Sequence, residues 1–309
     1  MSDYIPADPL PARGVSKGVR ASQRVISFAA LVGLMWWAFT GVQVNVGELV
    51  SGMPQMFETL GRMVPPDFSR VTDPAVYDKP ADLSVPQLLL PLPLEGAAAD
   101  AKQYWWQNTF PQTIVGATLQ TIQMAFAGTV LALFVAFPIA FLGAVNTTPH
   151  PAVYHVIKLV TNFLRTIPDF AVALVLVAAI GLGPFAGTLA LAFHTATVLI
   201  KLFAEAIEGI DEGVVEALRA TGARYAQILS FAVVPQVMPA FISFLLYRFE
   251  TNIRAAAVLG MIGAGGIGFL MVSDFRMFQY QQASMTVLVL IALVMFVDYL
   301  SAQLRKLVT

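Results

Sequence analysis

The sequence predicts an all-α integral membrane protein with six transmembrane helices, on three grounds. Charge is too scarce to cover a water-exposed surface, several apolar runs are long enough to span a bilayer, and basic residues gather at the two ends. Of 309 residues, 12% are charged and 57% hydrophobic, against about 25% charged in a soluble domain. A mean hydropathy of +0.72 makes lipid the natural cover for that surface. The absence of cysteine excludes disulfides, thiolate metal sites and cysteine nucleophiles, and a net charge of −1 gives the chain no general attraction for nucleic acid.

A hydrocarbon core of about 30 Å needs about 20 helical residues, and six runs supply them: about 25–44, 119–145, 156–182 (interrupted by Pro168), 185–206, 226–249 and 283–304. Trp36 and Trp37 suit an interface. Arg13, Lys17, Arg20 and Arg24 precede the first run, and Arg305 and Lys306 follow the last; both termini therefore read as cytoplasmic. The segment 45–112 carries four basic and eight acidic residues and reads as external. The chain divides into a cytoplasmic tail (1–24), a first transmembrane helix (25–44), an extracytoplasmic segment (45–112) and a five-helix core (113–309). Within 45–112, Gly47 to Val64 patterns as an amphipathic helix, and Pro65 to Leu94, with seven prolines, reads as a wandering loop. The N-terminus has the outline of a secretory signal, yet its apolar run is long and no A-x-A-like site follows, so an uncleaved anchor is expected.

Between runs four and five lies a polar island, 211–222. Asp211 or Glu212 at its start and Arg219 near its end complement a helix dipole. Val214, Val215 and Leu218 form a narrow apolar stripe, Glu216 projects charge, and Ala217 and Ala220 permit close approach of another surface. Gly222 suits the φ > 0 position that ends a helix, and Pro235 can bend the helix that follows. The pattern Glu-Ala-x4-Gly, with a proline thirteen residues on, resembles the EAA loop by which ABC importer permeases dock into their ATPase. The alternative is an ordinary cytoplasmic loop with a fortuitous match.

From about Leu119 to Arg305 the chain also resembles the permeases of phosphonate-type ABC importers. The stretches that carry the likeness are 163–169 (FLRTIPD), 181–187 (GLGPFAG), 201–206 (KLFAEA), 234–239 (VPQVMP), 247–256 (YRFETNIRAA) and 258–268 (VLGMIGAGGIG). Leu218 stands where a second alanine is common in the wider pattern. The resemblance implies a type I importer fold, a homodimeric channel, two copies of a separate ATPase that bind ATP and Mg, an extracytoplasmic binding protein, and a phosphonate or related phosphorus oxyanion as cargo. This chain itself has no Walker A sequence, since no lysine follows a glycine; no cofactor and no enzymatic activity are expected of it.

Gly263-x-Gly265-x-x-Gly268 formally matches a dinucleotide fingerprint but follows no strand. Gly260, Gly263, Gly265, Gly266 and Gly268 instead suit a gate-forming or tightly packed segment near the outer mouth. Ionisable residues inside spans are functional candidates. His194, Lys201, Glu205 and Glu208 share a helix face; His194 either meets a passing oxyanion or is a satisfied interhelical histidine, and Lys201 either lines the path or pairs with Glu205. Arg165 and Asp169 are expected to pair around Pro168. Arg248, Glu250 and Arg254 are placed at the outer end of the fifth run, where Arg248 or Arg254 would contact an entering anion unless Glu250 neutralises it. His150 and His155 show no metal-ligand spacing, so no metal is expected. An ion-coupled secondary transporter or another type I importer, for example of amino acids, stands as the rival.

Overall fold

The computed structural model describes residues 17–42, 45–72, 80, 82–90 and 92–308. Residues 1–16, with Arg13, and 73–79 of the proline-rich stretch lie outside them. The described residues up to Thr59 and those from Leu60 onward form two compact units. In the first, α1 (Lys17–Gly41) contains the shorter apolar stretch Ile26–Gly41, and Trp36 and Trp37 are exposed. α2 (Val46–Arg62) follows with Pro54 inside it. Its entry is fixed by Asn45, whose Oδ1 accepts from Gly47 N at 2.9 Å and whose Nδ2 donates to Glu48 Oε1 at 2.9 Å.

The second unit opens with α3 (Ser69–Thr72), α4 (Val85–Leu89) and α5 (Ala97–Tyr104). Within the expected loop Pro65–Leu94 the described residues hold two short helices, α3 and α4. Leu83, Leu88, Trp105 and Phe110 form a small buried cluster, with Trp105 stacked on Phe110 at 4.4 Å. Trp106 Nε1 donates to the Leu88 carbonyl at 2.7 Å. The aromatic side chains supply the apolar contact that holds α4 against the residues after α5, a gain invisible to a reading of turn residues alone.

The bundle comprises α6 (Ile114–Gly143), α7 (Pro151–Leu164), α8 (Asp169–Ile180), α9 (Pro184–Glu208), α10 (Glu212–Ala220), α11 (Tyr225–Ile228), α12 (Val234–Leu259), α13 (Gly266–Arg276) and α14 (Tyr280–Val308). Among the described residues four helices are long and apolar enough to cross a membrane, and α7 with α8 makes a fifth if the bent pair is one span. The six-span count is met only if α1 is added to these. α6 and α9 pack along their length. Gly128, Ala132, Ala136, Ala140 and Ala144 recur every four residues, and all the alanines are fully buried. A Cβ at Gly128 would lie 2.9 Å from Leu191 Cβ, so small residues set the spacing of this helix pair. Phe203 stacks on Phe241 at 3.8 Å and brings α12 against the same core. Facing outward, Phe134, Leu159, Val175 and Met295 are well exposed, an apolar surface that water would not tolerate at this scale.

Two of the expected spans are redrawn. The third breaks at Pro168: α7 ends at Leu164, α8 begins at Asp169, and the two are bent by 81°. Proline lacks the N–H that would continue the ladder and drives its predecessor toward extended backbone. The fifth does not end near Phe249. A continuous apolar span covers Tyr225–Ala264, so Arg248, Glu250 and Arg254 sit well inside it and not at its outer end. Their charge had suggested a membrane exit, but side chains of neighbouring helices meet it.

Candidate functional site

At one end of the bundle α10 stands clear of the rest. Asp211 is its N-cap, with Oδ1 accepting from Gly213 N at 2.8 Å, and Glu212 and Arg219 occupy its first and last turns. None of its residues is buried. Val215 and Leu218 are half-buried, whereas Glu212, Glu216, Ala217, Arg219 and Ala220 are exposed. Val215 leans on the main core together with Ile210. Gly222 has φ +77°, the left-handed conformation that lets the chain leave the helix at an angle. A nine-residue helix is too short to hold itself in water; its ends must be clamped.

Those clamps come from residues that the sequence did not single out. Asp211 N donates to Gln236 Oε1 at 2.9 Å, and Gln236 Nε2 donates to the Ala232 carbonyl at 2.8 Å. The start of α10 is thereby tied to the base of α12. Past the other end, the Tyr225 hydroxyl donates to the Thr147 carbonyl, while Asn146 Nδ2 donates to the Ile207 carbonyl at 2.6 Å. Pro235 is the second residue of α12 and follows a π-turn, Leu229–Val233, in which Val234 N donates to the Leu229 carbonyl. The wider turn accommodates the proline ring and its missing donor in place of the simple bend expected.

At the opposite end, the Gly260–Ala264 π-turn joins α12 to α13. Gly263, Gly265 and Gly266 have φ of +101°, +81° and +69°. A Cβ at Gly268 would fall 1.8 Å from the Ala257 carbonyl oxygen, and one at Gly260 would fall 2.5 Å from that of Gly265. Side chains of α6 cap the start of α13: Gly266 N donates to Gln120 Oε1 at 2.7 Å and Ile267 N to Thr121 Oγ1 at 2.9 Å. Gly183 N donates to the Gly263 carbonyl at 3.0 Å, so two glycine turns meet there. Beside them lies a cleft of about 570 Å³ lined in part by Gln120, Leu182 and Phe269.

Between the two ends, α6, α9 and α12 share a chain of polar groups. Arg248 Nη2 donates to Thr195 Oγ1 at 3.2 Å, Thr195 Oγ1 to Asn252 Oδ1 at 2.9 Å, Asn252 Nδ2 to Thr129 Oγ1 at 2.8 Å, and Thr129 Oγ1 to the Ala125 carbonyl at 2.7 Å. Thr129, Thr195 and Asn252 are all buried, and such a connected network fixes its members in place. At 1.5 Å per residue, Thr129 lies about 22 Å along α6 from Ile114 and Thr195 about 17 Å along α9 from Pro184, roughly halfway in each case.

The five candidate path residues separate here. His194 adjoins Thr195, and Arg165, Asp169 and Arg248 all lie within electrostatic range of its ring. Arg165 and Asp169 also act on Arg248. Arg165 closes α7 and Asp169 opens α8, so the break in the bent pair delivers both to this point. No ion pair joins Arg165 to Asp169 among the described residues, contrary to expectation; Asp169 Oδ1 accepts instead from Phe170 N at 2.9 Å. Lys201 lies about 10 Å from His194 along α9 and pairs with Glu205 at 3.6 Å, the plainer of its two readings. Arg254 meets Glu250 at 2.5 Å and Asp298 at 2.7 Å. Arg305 meets the other oxygen of Glu250 at 3.1 Å.

The model of binding-protein-dependent transport system inner membrane components matches residues 128–309, from the middle of α6 through α10, the polar chain and the glycine turn. The chain belongs to that family. It is 34% identical to the phosphite transport system permease protein PtxC of Stutzerimonas stutzeri over 99% of both chains. With the phosphate-import permease protein PhnE of Mycolicibacterium smegmatis it shares 43% identity over 63% of this chain and 37% of that protein. The expected likeness to phosphonate-type permeases is thus borne out. In fold it is similar to the inward-facing MetNI methionine ABC transporter, with a TM-score of 0.56 at 20% identity over 63% of this chain and 96% of that one, which bears out the type I importer fold. The chain is accordingly a multi-pass inner-membrane transport subunit, working with a binding protein and a separate ATPase.

Proposed function

We propose that this protein is the permease of an ABC importer for a phosphorus oxyanion of the phosphonate or phosphite class, and that it works as a homodimer. The observation that carries the reading is the end-to-end similarity to a phosphite permease, 34% over 99% of both chains. Exposure of α10 on nearly every face supports the coupling role. In this reading α10 and both termini are cytoplasmic, and Glu216, Ala217 and Ala220 enter a groove of the ATPase that binds ATP and Mg. The glycine turn lies toward the binding protein and forms part of the outer gate.

Closure of the ATPase pair on ATP draws the two α10 helices together. The hydrogen bonds from Asp211 to Gln236 pass that displacement to the base of α12, and the bundle rocks as a rigid body. Coupling energy reaches the path only if α10 and α12 move together, which makes Gln236 part of the device. Reconstitution with the binding protein and ATPase in proteoliposomes tests the whole reading: ATP-dependent accumulation of methylphosphonate or phosphite is expected, and accumulation of methionine but neither anion would refute it. Glu216→Lys and Gly222→Val should insert and dimerise normally yet lose binding-protein stimulation of ATP hydrolysis by more than tenfold. Because the chain has no cysteine, Ala217→Cys supplies a unique site for crosslinking to the ATPase.

A further inference from the structure

Among the described residues, two buried polar atoms at one place lack any hydrogen-bond partner: Nδ1 of His194 and Nε of Arg248. Such atoms are costly to leave unsatisfied. Arg248 carries a full charge inside a span, and no ion pair holds it among the described residues. Its one side-chain bond among the described residues, to Thr195, fixes position without neutralising charge. Arg254, six residues on, has two carboxylate partners. The same helix thus presents one compensated arginine and one that is not.

Around Arg248 the charges do not cancel. Arg165 and Arg248 contribute two positive charges and Asp169 one negative charge, so the group carries about +1 with His194 neutral. Arg165 and Asp169 come from the break between α7 and α8. Irregular backbone at membrane depth persists only where protein buries it or where it lines a polar passage. Guanidinium groups suit the tetrahedral oxygens of a phosphoryl or phosphonyl group, to which they donate two bonds at once.

We propose that Arg248, His194 and Arg165 form an anion station halfway through the bundle, where the phosphorus oxyanion is held between release from the binding protein and entry to the cytoplasm. Arg248 is the principal donor, and the Thr195–Asn252–Thr129 chain positions it. His194 offers Nδ1, which donates to an anionic oxygen when protonated there and accepts from a P–OH when it is not. Two copies of the station in a homodimer carry about +2, matching the charge of a doubly ionised phosphonate. A modest net charge favours capture without the trapping that a larger one would cause. The proposal rests on the importer reading above, and the cargo class it names is that reading's.

The test uses the complete transporter in proteoliposomes, with [14C]methylphosphonate as cargo. Arg248→Gln is expected to lower uptake more than tenfold while binding-protein-stimulated ATP hydrolysis stays within twofold, and Arg248→Lys to fall between. Uptake within twofold of the parent in Arg248→Gln overturns the proposal. A second readout is independent of cargo. His194→Cys, the sole cysteine, should react faster with an anionic than with a cationic methanethiosulfonate reagent. Adding Arg248→Gln should lower that rate ratio at least fivefold, and an unchanged ratio counts against the station. If Arg248→Gln does not assemble, a ratio of one or less in His194→Cys alone refutes the idea. Should the parent carry no phosphorus oxyanion, the cargo reading fails, and the reagent ratio still decides whether an anion station exists.

Discussion

Two groups of charge lie within one stretch of α12 and are built on opposite principles. Glu250, Arg254, Asp298 and Arg305 close on each other across α12 and α14: two carboxylates meet two guanidiniums, and the charges sum to zero. Arg248, half a turn before Glu250, turns instead to α9 and to the broken helix pair, where it finds a hydroxyl and no committed carboxylate. A neutral, mutually bonded network ties helices together and has nothing left for a ligand. The uncancelled one stabilises little and keeps bonding capacity for something that passes. Residue type is shared, but Arg254 is exposed and Arg248 half-buried, so partner and burial together decide the role.

Removing a member of the closed network should do the greatest damage to stability. Glu250→Gln takes the shared acceptor from two arginines that are 44% and 31% exposed. A loss of about 2 kcal/mol is expected, below the 3–5 of a fully buried pair because water reaches both partners. The midpoint of thermal unfolding in detergent would measure it. An unshifted midpoint would mean that the network is incidental. Asn252→Leu comes next, at about 1–2 kcal/mol, since the Thr195 hydroxyl loses its acceptor and the Thr129 oxygen its donor. Uptake should also fall, because Arg248 loses its fixed support.

Arg248→Met sharpens the contrast most directly. Its effect on unfolding should stay within about 1 kcal/mol, since no buried counter-charge is abandoned. A large drop in midpoint would show that Arg248 is structural and erase the distinction. Smallest of all should be Lys201→Gln: its pair with Glu205 is about half exposed, and such pairs contribute about 0–1 kcal/mol. Stability and uptake are both expected to stay close to the parent, and a tenfold loss of uptake would return Lys201 to the path.

Much of the end that carries α10 was legible beforehand. A cap, a dipole-matched charge at each end and a left-handed glycine are local properties, and Asp211, Arg219 and Gly222 adopt the geometry that their types favour. Gln236 was not legible as a clamp, because an amide near the start of a long apolar helix gives no sign of the loop it will reach. The same holds at mid-bundle. Thr129 is a single polar residue in an apolar run, while Thr195 and Asn252 stand among other polar residues, and only helix packing brings the three within bonding distance. Arg165 was expected to pair with Asp169 from their spacing, but that rule assumes an unbroken helix and Pro168 breaks it. The polar run 248–254 read as a membrane exit because hydropathy counts each charge as if it faced lipid alone.

By itself the sequence determined that the chain is helical and membrane-bound, where its short polar helix begins and ends, and which family motifs it carries. These follow from periodicity, composition and capping, which act within a few residues of each other. The tertiary structure decided which charges cancel, how far the fifth span runs, what anchors α10 and which of Arg248 and Arg254 has no ion pair among the described residues. Those are set by partners far apart in the chain, 123 residues for Asn252 and Thr129, and electrostatics at low dielectric depends on the partner far more than on the residue.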